Sequence, residues 1–494
     1  MSFDLSAVLA FYRFGLGDRV ANRDADEKPG GSMRLILLAA ALAVAVPSVA
    51  KSDELTDLKA QLQAVQKRLQ ALEAEKAKSN AGQPALTARA SAALPVKATP
   101  ASPISLEPPV IAPNEKPEIK VAGPEKPRVE LYGQAQVDAI YDAKKMDPIW
   151  EAAFRPSKIA VNCPPVGTDP GCGKDGVTTL SARQSKFGVK GFLPTPEGVV
   201  KTQFEFDLYG MGTNAGETMF HLQQAWGSWG QFLVGHTSSL FMDDDVFPNI
   251  IDYWGPSGMI YIHNPQLRWT PYEQNGLLFA VALEVPGFAG DLGKVPQFVP
   301  ELGGLRTKTQ YPDVTAHLRY DGMWGHVQAA GVLRWITFDN PLGVDGAPSG
   351  TVFGWGVNLS GALKTFGEDA LRAQIAYGYG IAAYSNDCCL DIVPASLLPF
   401  TGQALPLLDW LVYYDHWWTP KWSSSIGFSQ NIQNNTALQL DTDQHKGSYG
   451  SLNLLYRPVQ NVTVGAEGMW GERVNKNGAS ATDQRVQVSA QVKY

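Results

Sequence analysis

The last ten residues, Arg485 to Tyr494, read R-V-Q-V-S-A-Q-V-K-Y. Successive side chains of an extended strand point to opposite faces. Val486, Val488, Ala490, Val492 and Tyr494 therefore share one face, and Arg485, Gln487, Ser489, Gln491 and Lys493 share the other. One face is apolar throughout and the other polar throughout. A soluble sheet with its apolar face on a core shows this pattern. So does a membrane barrel, with apolar side chains in lipid and polar ones around a wet lumen. The number of repetitions, and what precedes them, discriminates between the two.

The alternation begins at Val129 in V-E-L-Y-G-Q-A-Q-V-D and recurs to the end of the chain. Further strands are expected to begin near Thr179, Gly198, Glu217, Gln231, Gln266, Gly276, Asp313, Gly325, Thr351, Ala370, Leu408, Trp422, Lys446, Asn461 and Thr482, sixteen in all. Val200, Thr202, Phe204, Phe206 and Leu208 oppose Lys201, Gln203, Glu205 and Asp207. Val314, Ala316, Leu318 and Tyr320 oppose Thr315, His317, Arg319 and Asp321. Charged residues are 18% of the chain, against about a quarter in soluble proteins. No segment after residue 50 has the roughly 18 continuous apolar residues of a spanning helix. Trp226, Trp229, Trp254, Trp269, Trp410, Trp417, Trp418 and Trp422 cluster at expected strand ends, as an interfacial girdle requires. Tight turns such as Pro194–Glu197 and Thr419–Lys421 alternate with long connections. A soluble sandwich survives for each strand taken singly. The combination favours an all-β transmembrane barrel of 16 antiparallel strands, closed, over residues 129–494. An even strand number puts both barrel termini on the short-turn side. The net charge of -7 argues against nucleic acid as a partner.

The segment before the barrel fits an envelope protein. Residues 1–32 are patternless, and translation is expected to start at Met33. Arg34 precedes the apolar run Leu35–Val46, and Ser48 and Ala50 stand at -3 and -1 of a cleavage site, so residues 33–50 read as a secretory signal peptide. The alternative is a cytoplasmic extension on a membrane anchor. Leu55, Leu58, Leu62, Val65, Leu69 and Leu72 follow at spacings of three and four. This is the a/d seam of an α-helical coiled coil over residues 51–78, which buries its stripe against copies of itself. A single docked amphipathic helix is the alternative. Fewer than three heptads are marginal alone, so the barrel is expected to supply most oligomer contact. Residues 79–128 hold ten prolines and read as an extended linker.

Four cysteines are present. Cys163 and Cys172 bracket a Pro/Gly-rich loop, which an oxidising compartment would staple by a disulfide; unpaired loop thiols are the alternative. Neither cysteine pair has zinc-ligand spacing. No G-x-S-x-G element is present and the seven histidines are scattered, so an enzyme, such as an outer-membrane hydrolase, is not expected. No cofactor is expected.

Ser185-Lys186-Phe187-Gly188-Val189-Lys190-Gly191 is similar to the second-strand signature of trimeric general porins. Gly235-His236-Thr237-Ser238-Ser239-Leu240-Phe241-Met242-Asp243, with Asn264-Pro265-Gln266-Leu267-Arg268-Trp269-Thr270, resembles the DcaP-like porins of Gram-negative outer membranes. The resemblance covers about residues 50–494. It implies a homotrimer in outer-membrane lipid with an N-terminal coiled coil, which the even strand number puts in the periplasm, where contact with the cell wall is the expectation. It also implies passive diffusion of small solutes through a water-filled channel, with a preference for anions such as dicarboxylates. His263 departs from the pattern, since an arginine is expected there.

Under this reading the long connection Ser238–Pro265 is the loop that folds into the lumen, carrying Asp243, Asp244, Asp245 and Asp252. Arg268, Lys186, Lys190, Lys201, Arg319, Arg334 and Arg372 are the candidates for an opposing basic wall. Acidic loop and basic wall would set a transverse field at the constriction. Asp243 and Asp245 are also a weak alternative as calcium ligands, although three adjacent carboxylates cannot all point one way. A plugged barrel acting as a structural tether or adhesin is the rival function.

Overall fold

The computed structural model describes residues 126–494, apart from 145, 174, 299–305, 340–348 and 398–399. The signal peptide, the linker up to residue 125 and the coiled-coil seam (Leu55, Leu58, Leu62, Val65, Leu69 and Leu72) lie outside the described residues.

Strands β1 (Arg128–Asp142), β2 (Val177–Ser181), β3 (Lys186–Thr195), β4 (Gly198–Tyr209), β5 (Thr218–Trp229), β6 (Phe232–Ser238) and β7 (His263–Gln274) open the barrel. They continue as β8 (Leu277–Glu284), β9 (Arg306–Thr309), β10 (Asp313–Gly322), β11 (Gly325–Asp339), β12 (Gly350–Lys364) and β13 (Ala370–Tyr379). A side hairpin follows, β14 (Ile392–Leu397) and β15 (Phe400–Ala404). The chain finishes with β16 (Pro406–Thr419), β17 (Trp422–Gln433), β18 (Gln444–Val459), β19 (Val462–Asn475) and β20 (Ser480–Lys493). Every ladder between them is antiparallel, and β20 pairs with β1 from Gln134↔Lys493 to Asp142↔Arg485. The ring therefore has no free closing edge, as a lipid-embedded sheet demands. β2 extends the line of β3 along β1, and β9 extends that of β10 along β11. Counted as wall positions, the strands are sixteen, as the alternation predicts. The strand expected from Thr179 is split into β2 and β3.

The amphipathicity is inverted. On β20, Val486, Val488 and Val492 are 53%, 48% and 49% exposed, while Arg485, Gln487 and Ser489 are 1%, 0% and 4% exposed. Apolar side chains face outward and polar ones inward. Most wall hairpins turn in two residues at one end, as at Asn275-Gly276, where both φ values are positive (54° and 79°). That backbone requires residues tolerant of left-handed geometry, which Asn and Gly supply. Gly188 in the second-strand motif has another reason: a side chain there would overlap the Tyr132 ring from β1.

Trp229, Trp269, Trp418 and Trp422 are exposed at the short-turn end, where a girdle belongs. Trp254 is a correction to the expected girdle. It sits in the segment between β6 and β7, edge-on to Trp150 at 5.1 Å and beneath the Arg155 guanidinium at 3.8 Å. Its neighbours Pro248, Gly255, Pro256 and Gly258 interrupt any strand, so it ends no strand at all.

Apolar clusters lie inside the ring as well as outside it. Phe241, Met242 and Ile260 pack on the inward side chains Ala330, Val332, Ala376 and Leu407, joined by Ile381 and Tyr384 and flanked by Cys388 and Cys389. Phe154, Ile159 and Met259 pack on Leu411, Tyr413, Tyr449 and Met469. Segments 143–176, 239–262 and 380–391 thus fold inward against β11–β13 and β16–β19. Cys163 and Cys172 are joined by a disulfide in the first of them.

Candidate functional site in the barrel lumen

The segment between β6 and β7 leaves the wall after Ser238 because no alternation continues there. Its buried Leu240, Phe241, Met242, Val246, Met259 and Ile260 cannot face water. The wall's inward polar side chains satisfy its backbone, which a buried loop requires. Gln328 Nε2 donates to the Met242 carbonyl and Asn358 Nδ2 to that of Phe241, both at 2.8 Å. The Ile251 amide donates to Glu467 at 2.6 Å, and the Asn249 amide to Asp415 at 3.2 Å. Gln184 and Gln487 both donate to the Ile251 carbonyl.

The four loop aspartates have different surroundings. Asp243 is buried and accepts from His326 Nε2 at 2.8 Å, Ser360 Oγ at 2.6 Å and Arg319 Nη1 at 3.3 Å. Asp245 accepts from Arg319 Nη2 at 2.6 Å. Asp244 is exposed, accepts from Ser238 Oγ at 3.2 Å and lines the lumen cavity. Asp252 is buried and accepts from the Phe154 and Gly255 amides at 3.0 and 2.9 Å. Burial pushes its carboxyl up to about 6.

The seven basic candidates divide as sharply. Arg319 touches the acidic run itself, and Arg372 donates to the Asp245 carbonyl while pairing with Asp415 at 2.6 Å. Contact, rather than opposition across a gap, relates these two arginines to the loop. Arg334 lies away from the acidic run, buried between Asp313 at 2.7 Å and Asp391 at 2.6 Å. Arg268 donates to the Ser238 carbonyl at 2.6 Å, fixing the point where the loop departs. Lys186 lies 3.5 Å from Glu205 and lines the cavity. Lys190 sits over the Tyr132 ring at 5.0 Å, and Lys201 is exposed near the short-turn rim.

Ligand atoms of Asp243, Asp245 and His326 lie within 4.8 Å of one another. A hard cation takes several oxygen ligands. Here the Arg319 guanidinium already bonds both aspartates and supplies the positive charge. His263 begins β7 opposite Ser238, with its ring 5.2 Å from that of Tyr261 and 6.5 Å from that of His236.

Beside the folded-in segments runs a cavity of about 800 Å³. Its lining extends from Met211 and Asn386 near the long-connection end to Thr463 and Lys493 at the short-turn end. Arg457 and Lys493 line it, and neither stood among the basic candidates. Strand alternation alone identifies Lys493, which shares the inward face of β20 with Gln487 and Gln491. Arg457 continues the inward set Ser451, Asn453 and Leu455 of β18, but the apolar Leu455 beside it blurs the polar face in sequence.

The model of the DcaP outer membrane protein family matches residues 114–491. No curated protein sequence matches the chain. Among solved structures, the outer membrane channel DcaP of Acinetobacter baumannii is similar, with 19% identity and a TM-score of 0.64, over 75% of this chain and 98% of that one. The anion-selective porin of Comamonas acidovorans aligns at 10% identity and a TM-score of 0.48, over 75% and 100%. OmpT of Vibrio cholerae aligns at 12% identity and 0.45, over 76% and 100%. With its sixteen-position closed ring, its inward-folded segment and a family match across the whole barrel, this chain belongs to the DcaP outer membrane protein family.

Proposed function

We propose that this protein is a porin, a passive channel for small hydrophilic solutes across the outer membrane, with a preference for anions such as dicarboxylates. The observation that carries the reading is the lumen cavity lined by Gln134, Gln136, Gln491, Lys186, Glu205 and Asp207, inside a wall whose outer face is apolar. Unpaired polar groups cost several kcal/mol each in hydrocarbon. A polar lining replaces water as their partner and removes that barrier. Bore and charge then decide what passes. Family and fold point to transport rather than catalysis. The acidic segment Asp243–Asp245 with Asp252 remains the proposed constriction. Arg319, Arg372 and Arg268 hold its departure from the wall.

A homotrimer with the coiled coil in the periplasm completes the proposal. Support comes from the outer face of β3–β5, where Phe187, Phe204, Phe206 and Phe220 form one aromatic cluster with centroid spacings of 4.6 to 6.1 Å. Cross-linking of the detergent-solubilised full chain should give a three-chain band.

One observation favours the rival reading of a structural tether: three segments already fill much of the lumen. Reconstitution into planar bilayers separates the two. Steady conductance with a chloride-directed reversal potential supports the channel, and no conductance supports the tether.

A further inference from the structure

The short-turn half of the lumen carries a group of cations, in the same cavity that Asp244 and Asp252 of the inward segment line. Lys493 of β20 stands opposite Gln134 of β1, Gln134 opposite Lys186 of β3, and Lys186 opposite Asp207 of β4. Lys186, Lys493 and Arg457 of β18 all line the one cavity. Like charges brought together inside a concave wall raise the local potential and gather counter-ions.

The acids around these cations have partners of their own: Asp252 accepts from the Phe154 and Gly255 amides, and Asp244 from Ser238 Oγ. Asp207 accepts from Tyr253 Oη at 2.6 Å, Gln223 at 2.8 Å and the Tyr209 amide at 2.9 Å. Glu205 pairs with Lys186 at 3.5 Å and offsets its charge, so the site rests on Arg457 and Lys493. Asp415 is held by Arg372. Among the described residues, neither Arg457 nor Lys493 has an ion-pair partner. Arg457 is nevertheless held in place. Its Nη2 donates to Asn249 Oδ1 at 3.2 Å, and its guanidinium lies 4.8 Å from the Trp417 ring centroid. The remaining edge of that planar fork is left for an oxyanion, the partner it matches best. Gln134, Gln136 and Gln491 add amide groups along the same wall.

We infer that Arg457 and Lys493 form a holding site for small dianions at the short-turn end of the lumen, and that this site sets the charge preference of the pore. The inference rests on the porin reading. It moves the selectivity determinant away from Arg319 and Arg372, whose charges are spent on aspartates. A second charge on the solute doubles its interaction with the same potential, so dianions gain over monoanions. Carboxylate and phosphate dianions share this chemistry.

The test uses the full-length protein in planar bilayers, comparing wild type with Arg457→Gln/Lys493→Gln, and with Lys493→Gln alone should the double variant fold poorly. Reversal potentials are read in a KCl gradient. Current block is read with succinate, inorganic phosphate and acetate. In the double variant the half-blocking concentrations of the dianions should rise roughly tenfold, with acetate changing far less. The chloride-over-potassium preference should fall severalfold. Loss of block by succinate alone or phosphate alone assigns the site to that chemistry. Unchanged selectivity and block in a conducting variant overturns the site while leaving the porin reading intact. A wild type that passes no current removes both.

Discussion

Arg485 and Asp142 face each other across the seam where the last strand meets the first, and they share a buried two-pronged ion pair at 2.7 and 2.8 Å. Both side chains are essentially unexposed, and a third arginine hydrogen bond reaches the Glu151 carbonyl at 2.9 Å. Ring closure and the anchoring of segment 143–176 therefore meet at one residue.

Removing one member of that pair leaves a buried charge without compensation. Asp142→Asn should cost about 3–5 kcal/mol of barrel stability. Asp142→Leu/Arg485→Met together should recover most of it, since an apolar pair of similar volume carries no desolvation cost. Urea unfolding in detergent micelles measures both. Equal loss in the single and double variants would show that the pair matters for shape rather than charge.

The outward face of β20 makes a second test. Val488 is 48% exposed near mid-strand. Val488→Lys should destabilise the protein in lipid vesicles by about 2–4 kcal/mol, the cost of a cation at the bilayer midplane. Val488→Ile should be near neutral. Equal stability of the Lys variant and wild type would mean that this face does not meet lipid.

Arg319 anchors the departure of the inward segment. Arg319→Gln removes its contacts with Asp243, Asp245 and Asp321 and leaves the buried Asp243 to His326 and Ser360. A local cost of about 2–4 kcal/mol follows. Limited proteolysis within residues 239–262 should accelerate by at least tenfold. Asp243→Asn in the same chain should reverse part of the effect.

Asp252 gives a pH signature. Burial holds its carboxyl at about 6 when folded, above the ordinary value of 3.8. The folded state binds this proton more tightly than the unfolded one. Its contribution is therefore full below about pH 4 and is lost as pH rises through about 6, a swing of about 2–3 kcal/mol. Asp252→Asn should flatten the stability profile across that window, read as urea midpoints at pH 4 and pH 7. An unchanged slope would assign the pH dependence to other carboxylates.

Alternation along Arg485–Tyr494, Val200–Leu208 and Val314–Asp321 already specified a wall of sixteen positions and which side chains turn inward. That much is local: a period of two is written in the order of residues, and strand number with low charge favours lipid outside and polar groups inside over a soluble sheet. The roles of the charges were not local. Arg319, Arg334 and Arg372 read alike in sequence, as cations on inward strand faces. Yet one grips Asp243 and Asp245, one is buried between Asp313 and Asp391, and one holds Asp415. Trp254 read as a membrane anchor and lies inside the barrel. These outcomes depend on where segments 143–176, 239–262 and 380–391 come to rest, through contacts between residues far apart in the chain. Sequence order carries the wall. Only the packed lumen decides which charges are neutralised and which, as at Arg457 and Lys493, have no ion-pair partner among the described residues.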